Sequence, residues 1–305
     1  MLAAFPEKIL SVDCLIIDTV YSFTESPMRL FYMRVILFAL LPFGIICASF
    51  FFWQVNGCIS ALSKEERNDK NYTTIIIILF LFYPAIVSYM AESVNCYSLE
   101  GEFRLYNDLE EVCYIGTHLV ILVLVSVPGL LVWALGIPFF ALQQLLSFSK
   151  LRDSYKAYSN PSHYNSMSDR FELKFGFLTS GYQEKFYFWE VLLILRKTLI
   201  VLMITLLAPL SKGMQSLTTI SVLLAFLTVH IKIAPFNDQR LNDLESYSLI
   251  VLIITIYFGL YYQSSKGTES LFESDITKWL VFFGVFVTSS TFLAHFIYKM
   301  HAEIV

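Results

Sequence analysis

The chain has 305 residues, of which 56% are hydrophobic, 16% aromatic and only 15% charged, with a formal net charge of −4. This is too apolar for a water-soluble domain and normal for a polytopic membrane protein. Nucleic-acid binding has no basic patch to support it. The absence of GxSxG, P-loop and HExxH motifs, and of a paired carboxylate set in a plausible pocket, argues against an enzyme.

Residues 1–29, MLAAFPEKILSVDCLIIDTVYSFTESPMR, mix apolar and acidic positions without a clean period. Met1–Leu15 carries Glu7 and Asp13 and has no basic leader, so it does not read as a signal peptide. The segment is too broken by charge to cross a bilayer. We expect it on the outer surface or packed into the bundle mouth, as a lead-in to a membrane domain over residues 30–305.

Seven apolar segments long enough to span follow: Leu30–Val55, Thr73–Met90, Thr117–Leu146, Phe186–Leu210, Met214–Ile233, Tyr247–Gln263 and Ile276–Met300. The fold class expected is therefore all-α, a transmembrane helical bundle of about seven spans. The third segment exceeds one straight crossing and contains Pro128-Gly129 and Gly136-Ile137-Pro138, which predict a kinked helix. Pro42 and Pro84 should bend the first and second spans.

Orientation follows from loop Lys and Arg. The loops after spans one, three and five, with the C-terminus, hold twelve; the opposite side holds seven. This favours an outer N-terminus and a cytoplasmic C-terminus, and makes residues 147–185 the largest cytoplasmic loop. Cys14, Cys96 and Cys113 then fall on the outer side, where disulfides are permitted. Trp53, Trp189 and Trp279 fall at span ends, as an interfacial belt requires. The sequon Asn71-Tyr72-Thr73 would be cytoplasmic and abut a span, so it reads as chance.

The outer loop from Glu92 to Val112 carries Glu100, Glu102, Asp108, Glu110 and Glu111 against a single Arg104. Cys96 and Cys113 bracket most of it, and a bridge between them would hold the acids over the bundle mouth. Clustered carboxylates concentrate cations; an ordinary solvated loop has the same composition. Both readings stay open.

The stretch Gly176–Leu210 is polar and aromatic as far as Trp189 and Glu190, then apolar except for Arg196 and Lys197. Two cations inside a span cost roughly 2.5–3.5 kcal/mol each on insertion scales. Lys197 lies seven residues after Glu190, nearly on the same helical face, about 10.5 Å further along. A paired site facing the bundle and simple snorkelling to headgroups are the two alternatives. The loop from Ile233 to Glu245 places Asn242 and Glu245 at the start of the sixth span, where an Asn cap and an early Glu suit the helix dipole. Glu245 could also join Glu190, Arg196 and Lys197 in an intramembrane charge network. His118, His230 and His295 sit at or inside span ends, where lone histidines are more often packing residues than ligands, and no spacing implies a metal or other cofactor.

Several phrases taken together resemble the membrane region of the transient-receptor-potential-like proteins of protists and fungi. They are Val12-Asp13-Cys14; Cys96, Leu105, Asp108, Cys113 and His118; Gly176-Phe177-Leu178, Gly181-Tyr182, Trp189-Glu190 and Arg196-Lys197; and Pro235, Asn242-Asp243-Leu244-Glu245 and Ser248-Leu249. The Trp-Glu…Arg-Lys phrase is the most specific. The resemblance implies a multi-pass membrane protein, with cation channel as the family's usual label. The link Ser264–Asp275 is about twelve residues, short for a re-entrant pore helix and filter, so a conducting path would follow polar helix faces. The expected partners are the bilayer and inorganic cations, with homo-oligomerisation left open. A seven-pass sensor or receptor, and a structural membrane subunit without transport, are the alternative functions.

Overall fold

The computed structural model describes residues 30–59, 63–157, 178–179, 181–264 and 275–304. The lead-in over 1–29, residues 158–177 of the expected cytoplasmic loop, and the link 265–274 lie outside the described residues. Two compact units emerge: Met1–Ser180 with Glu190–Pro209, and Gly181–Trp189 with Leu210–Val305.

The first unit starts with α1 (Leu30–Ile59) and α2 (Lys64–Glu92), which pack as an antiparallel hairpin. A capping box starts α2: the Ser63 hydroxyl accepts from the Glu66 N–H at 3.2 Å, and the Glu66 carboxylate accepts from the Ser63 N–H at 3.1 Å. Beyond the turn, Trp53 Nε1 donates to Thr74 Oγ1 at 3.0 Å and Ser49 Oγ donates to Asn71 Oδ1 at 2.6 Å. The asparagine of the sequon is thus helical and engaged by α1. Toward the other end Phe38 and Tyr89 stack with centroids 3.9 Å apart.

The chain is mostly helical, as expected for an all-α bundle, and the acidic loop adds a small three-stranded antiparallel sheet, β1 (Cys96–Leu99), β2 (Glu102–Leu105) and β3 (Asp108–Val112), in the order β1-β2-β3. Two-residue turns explain it. Leu99 pairs with Glu102, leaving Glu100 and Gly101 at φ 53° and 90°, the twin positive values of a hairpin turn whose twist matches the strands. Leu105 is fully buried and clusters with Tyr32, Val35, Ile86, Met90 and Cys113, which docks the sheet onto the helix ends.

The third span, Gly116–Ser147, is helical throughout but not uniformly α. After α3 (Gly116–Ile121) comes a π-helical stretch, Leu122–Ser126, then α4 (Val127–Leu130), a second π stretch, Leu131–Gly136, and α5 (Ile137–Ala157). Each π stretch ends two residues before a proline, Pro128 or Pro138. A proline lacks the N–H and crowds the carbonyl four residues back, so widening the preceding turn relieves the clash without breaking the rod. The expected kink sites are thus where the helix changes geometry. Gly129 permits close approach to α2: a Cβ there would lie 2.9 Å from Met90 Sδ.

The expected fourth span, Phe186–Leu210, forms the shorter α6 (Trp189–Leu206). From Glu190 onward it belongs to the first unit. Val191, Ile194, Thr198 and Thr205 make its buried face, and Ile194 packs with Tyr83, Val87 and Ala134.

The second unit holds α7 (Lys212–Ile233), α8 (Gln239–Ser264) and α9 (Asp275–Ile304). Ser211 caps α7 by accepting from the Met214 N–H at 3.1 Å. Against α9, Tyr247 of α8 shares a 3.3 Å hydrogen bond with Thr291 and packs its ring on Phe292 and His295. Phe258 fills the notch at Gly284.

Among the described residues six helices are long and apolar enough to cross a membrane: Phe31–Gly57, Lys64–Glu92, Gly116–Ser147, Lys212–Ile233, Gln239–Leu260 and Trp279–Tyr298. The expected fourth span differs from these because α6, at 18 residues, carries Glu190, Arg196 and Lys197.

Candidate functional site

Helix α6 carries the charges that the sequence singles out. Glu190 and Arg196 are half-buried, while Lys197, at mid-helix, is exposed. Seven residues separate Glu190 from Lys197, which puts them about 20° apart around the axis. An adjacent side of α6, roughly 80–100° around from Lys197, is held to α2 and the residues just past it by polar groups. Thr198 Oγ1 donates to the Ile194 carbonyl at 2.9 Å, so the buried Tyr83 hydroxyl is the donor in its short bond to Thr198. Asn95, just past α2, donates through Nδ2 to the Thr205 carbonyl at 2.7 Å. These bonds fix the rotation of α6 and therefore which way Lys197 points. Glu245 is half-buried in the second unit, on α8.

The three-stranded sheet is built around a compact sulfur–imidazole hub. Cys96 and Cys113 lie at disulfide distance, with Cα atoms 6.4 Å apart. His118, only 1% exposed, sits beside them with Nε2 4.0 Å from Cys96 Sγ. Its Nδ1 accepts from the Tyr114 N–H at 3.0 Å, so Nε2 carries the proton and donates to the Ser93 carbonyl at 3.1 Å. The accepted bond holds Tyr114 at φ 66°, a value costly for a bulky residue. The donor atoms of Cys96, Cys113 and His118 all lie within 4.8 Å of one another, close enough for a metal. With the sulfurs joined and both ring nitrogens bonded to the backbone, however, the trio does not fit one. It pins the end of α2 to the start of the third span.

Several acids of this loop are already engaged within the protein. Glu102 pairs with Arg104 at 2.7 Å, Asp108 accepts from the Glu110 N–H at 3.3 Å, and Glu111 accepts from the Tyr32 hydroxyl at 2.7 Å. The side chains of Glu100, Glu102 and Glu110 are exposed, whereas Asp108 and Glu111 are half-buried.

In the second unit the cap expected at Asn242 is displaced by one turn. α8 begins at Gln239, and Asp238 supplies the cap, its carboxylate accepting from the Arg240 N–H at 2.8 Å. Asn242 lies inside the helix and is 4% exposed. Its Oδ1 accepts from the Phe236 N–H and its Nδ2 donates to the Phe236 carbonyl, both at 3.1 Å. One amide thus satisfies both backbone groups of a loop residue that no ladder reaches. Phe236 in turn pairs as an antiparallel bridge with Tyr182 and stacks on its ring at 4.7 Å. Gln183 donates to the Ala234 carbonyl at 2.9 Å, and Asn237 Nδ2 donates to the Tyr182 carbonyl at 3.0 Å. The segments 181–183 and 234–237 are thereby clasped. His230 lies beneath, its Nε2 donating to the Asn242 carbonyl at 3.2 Å. Sequence reasoning missed Gln183 and Asn237 as clasp residues. The signal was the concentration of amides around Pro235-Phe236, a site where backbone groups need side-chain partners.

Six apolar helices of spanning length define an integral, multi-pass membrane protein. A stretch of 138 residues, 43% of the chain, is 33% identical to cysteine repeat modular protein A of Toxoplasma gondii. The match spans only 4% of that protein's length. No family model matches the chain, and no solved structure does.

Proposed function

We propose that the chain is a membrane subunit of a cation channel or channel-like transporter, related to the transient-receptor-potential-like proteins. In this reading α6 is a seventh span, with the N-terminus outside and the C-terminus in the cytoplasm. The observation that carries the reading is Lys197, an exposed cation at the middle of an apolar helix. Facing lipid there costs about 2.5–3.5 kcal/mol, so a polar path or a further subunit faces it instead. Glu190 and Arg196 complete the charged strip on α6, and the exposed Glu100, Glu102 and Glu110 enrich cations at the outer mouth. Trp279, Phe282, Phe283 and Phe286 of α9 are each more than half exposed and offer a broad aromatic face that lipid or, in a homo-oligomer, another copy would cover.

The test is reconstitution into liposomes with a cation-flux readout and bilayer currents. Cation-selective conductance is expected, with selectivity altered in Lys197→Gln and Glu190→Gln. Flux no greater than in protein-free liposomes removes the channel reading. A seven-pass sensor is the second reading, favoured by the twelve-residue link Ser264–Asp275, too short for a re-entrant filter. It predicts a ligand-dependent conformational change without current.

A further inference from the structure

The clasp of the second unit contains two polar atoms that none of its hydrogen bonds uses. Trp189 is 3% exposed and His230 2% exposed. The Trp189 Nε1 and His230 Nδ1 atoms are buried and have no hydrogen-bond partner. Their chemistry is complementary. Indole nitrogen is a donor only. His230 donates through Nε2 to the Asn242 carbonyl, so its Nδ1 is an unprotonated acceptor. The two rings are 5.8 Å apart between centroids and tilted by 54°, which places the donor and the acceptor on adjoining rings. An unsatisfied buried donor or acceptor costs about 1–3 kcal/mol, and a lone deficit of each kind in one spot is a matched pair.

We propose that Trp189 and His230 form a binding site for a single water molecule, which accepts from the indole N–H and donates to His230 Nδ1. A small molecule that must both accept and donate between two buried rings is limited to water or something of its size. Phe236, with its ring 6.1 Å from that of His230, and Phe186, 6.4 Å from Trp189, wall the site with apolar edges. These walls slow exchange with bulk solvent. The clasp above is held by direct bonds from Gln183, Asn237 and Asn242; the water extends the same network one layer inward and locks the His230 tautomer. The inference concerns this unit alone and holds whether or not the chain conducts.

The test uses the full chain in nanodiscs, labelled with 15N on tryptophan and histidine. There are four tryptophans, so the Trp189 indole resonance is assigned as the one lost in Trp189→Phe. The site predicts a cross-relaxation peak between the Trp189 indole proton and water, and a His230 ring protonated at Nε2 but not Nδ1. In His230→Phe that water peak is lost while the indole resonance stays dispersed. In His230→Gln, whose side-chain oxygen restores an acceptor, the peak returns. No water peak in the native chain, a direct coupling between the indole and His230 Nδ1, or a peak unchanged in His230→Phe would each overturn the proposal. If His230→Phe does not fold, the His230→Gln comparison and the histidine tautomer decide the matter.

Discussion

The pairing of Cys96 with Cys113 allows a quantitative test of what holds the three-stranded sheet in place. The two residues are separated by 17 positions. A bridge closing a loop of that size removes chain entropy from the opened state worth about 3 kcal/mol, or roughly a hundredfold in the ratio of closed to open sheet. The perturbation is the double variant Cys96→Ala/Cys113→Ala, measured beside the parent chain treated with a dithiol reductant. Arg104, in the middle strand, is partly exposed, with 30% side-chain accessibility, and gives trypsin its cutting point. Cleavage after Arg104 in nanodiscs therefore reports sheet opening, provided reclosing is fast relative to cutting. Both the double variant and the reduced parent should be nicked about a hundredfold faster, with the α1–α2 hairpin still protected. Leu105→Ala is the packing control. It keeps the bridge, removes a fully buried side chain, and should cost 2–5 kcal/mol by cavity formation, by the general scale for such truncations. A less than fivefold change on reduction would refute the reasoning and leave packing and the His118 hydrogen bonds as the restraints that matter.

Three further outcomes follow from contacts already described. Gly129→Val should destabilise the first unit, because Met90 Sδ would lie 2.9 Å from the first added carbon, and Met90→Ala should partly restore thermal stability by making room. Tyr83→Phe and Thr198→Val should each lower stability in nanodiscs, and the double variant should lose less than the sum, with a coupling of about 0.6–1.7 kcal/mol typical of interhelical bonds in membranes; additive losses would mean that the two hydroxyls act separately. Asn242→Leu should strand the Phe236 N–H, leaving its carbonyl only the 3.3 Å bond from Gln183 Nε2, and cost roughly 1–3 kcal/mol, read as faster amide exchange across residues 234–237, whereas Asp238→Ala should cost only about 1 kcal/mol as a lost cap.

Run length alone made six of the spans legible, because a bilayer demands about twenty apolar residues and nothing soluble does. The cysteine pair was legible too, since two cysteines bracketing a short outer loop have few other uses. The sheet between them was not. Its strands are four or five residues long, with acids and aromatics on both faces, so neither a period of two nor one of 3.6 stands out over so short a window. Pro128 and Pro138 announced irregular helix, but a kink and a widened turn relieve the same clash, and only the surrounding packing selects between them. Asn242 looked like a cap because the apolar pattern of α8 begins after it. The backbone continues one turn further back, where Asp238 takes the role, and the amide serves Phe236 instead. The charges on α6 were visible at once. Their rotation was not, because it is set by Tyr83 and Asn95, which lie about a hundred residues earlier.

The two π-helical stretches of the third span give that segment an adjustable phase. Each widened turn is in effect one surplus residue absorbed without a break. Resolving either into ordinary α geometry would rotate everything on one side of it by about 100° relative to the other, with an axial shift of only about 1.5 Å. A rod built this way changes phase on either side of the Gly129 contact with Met90. The prolines mark where the thread is cut.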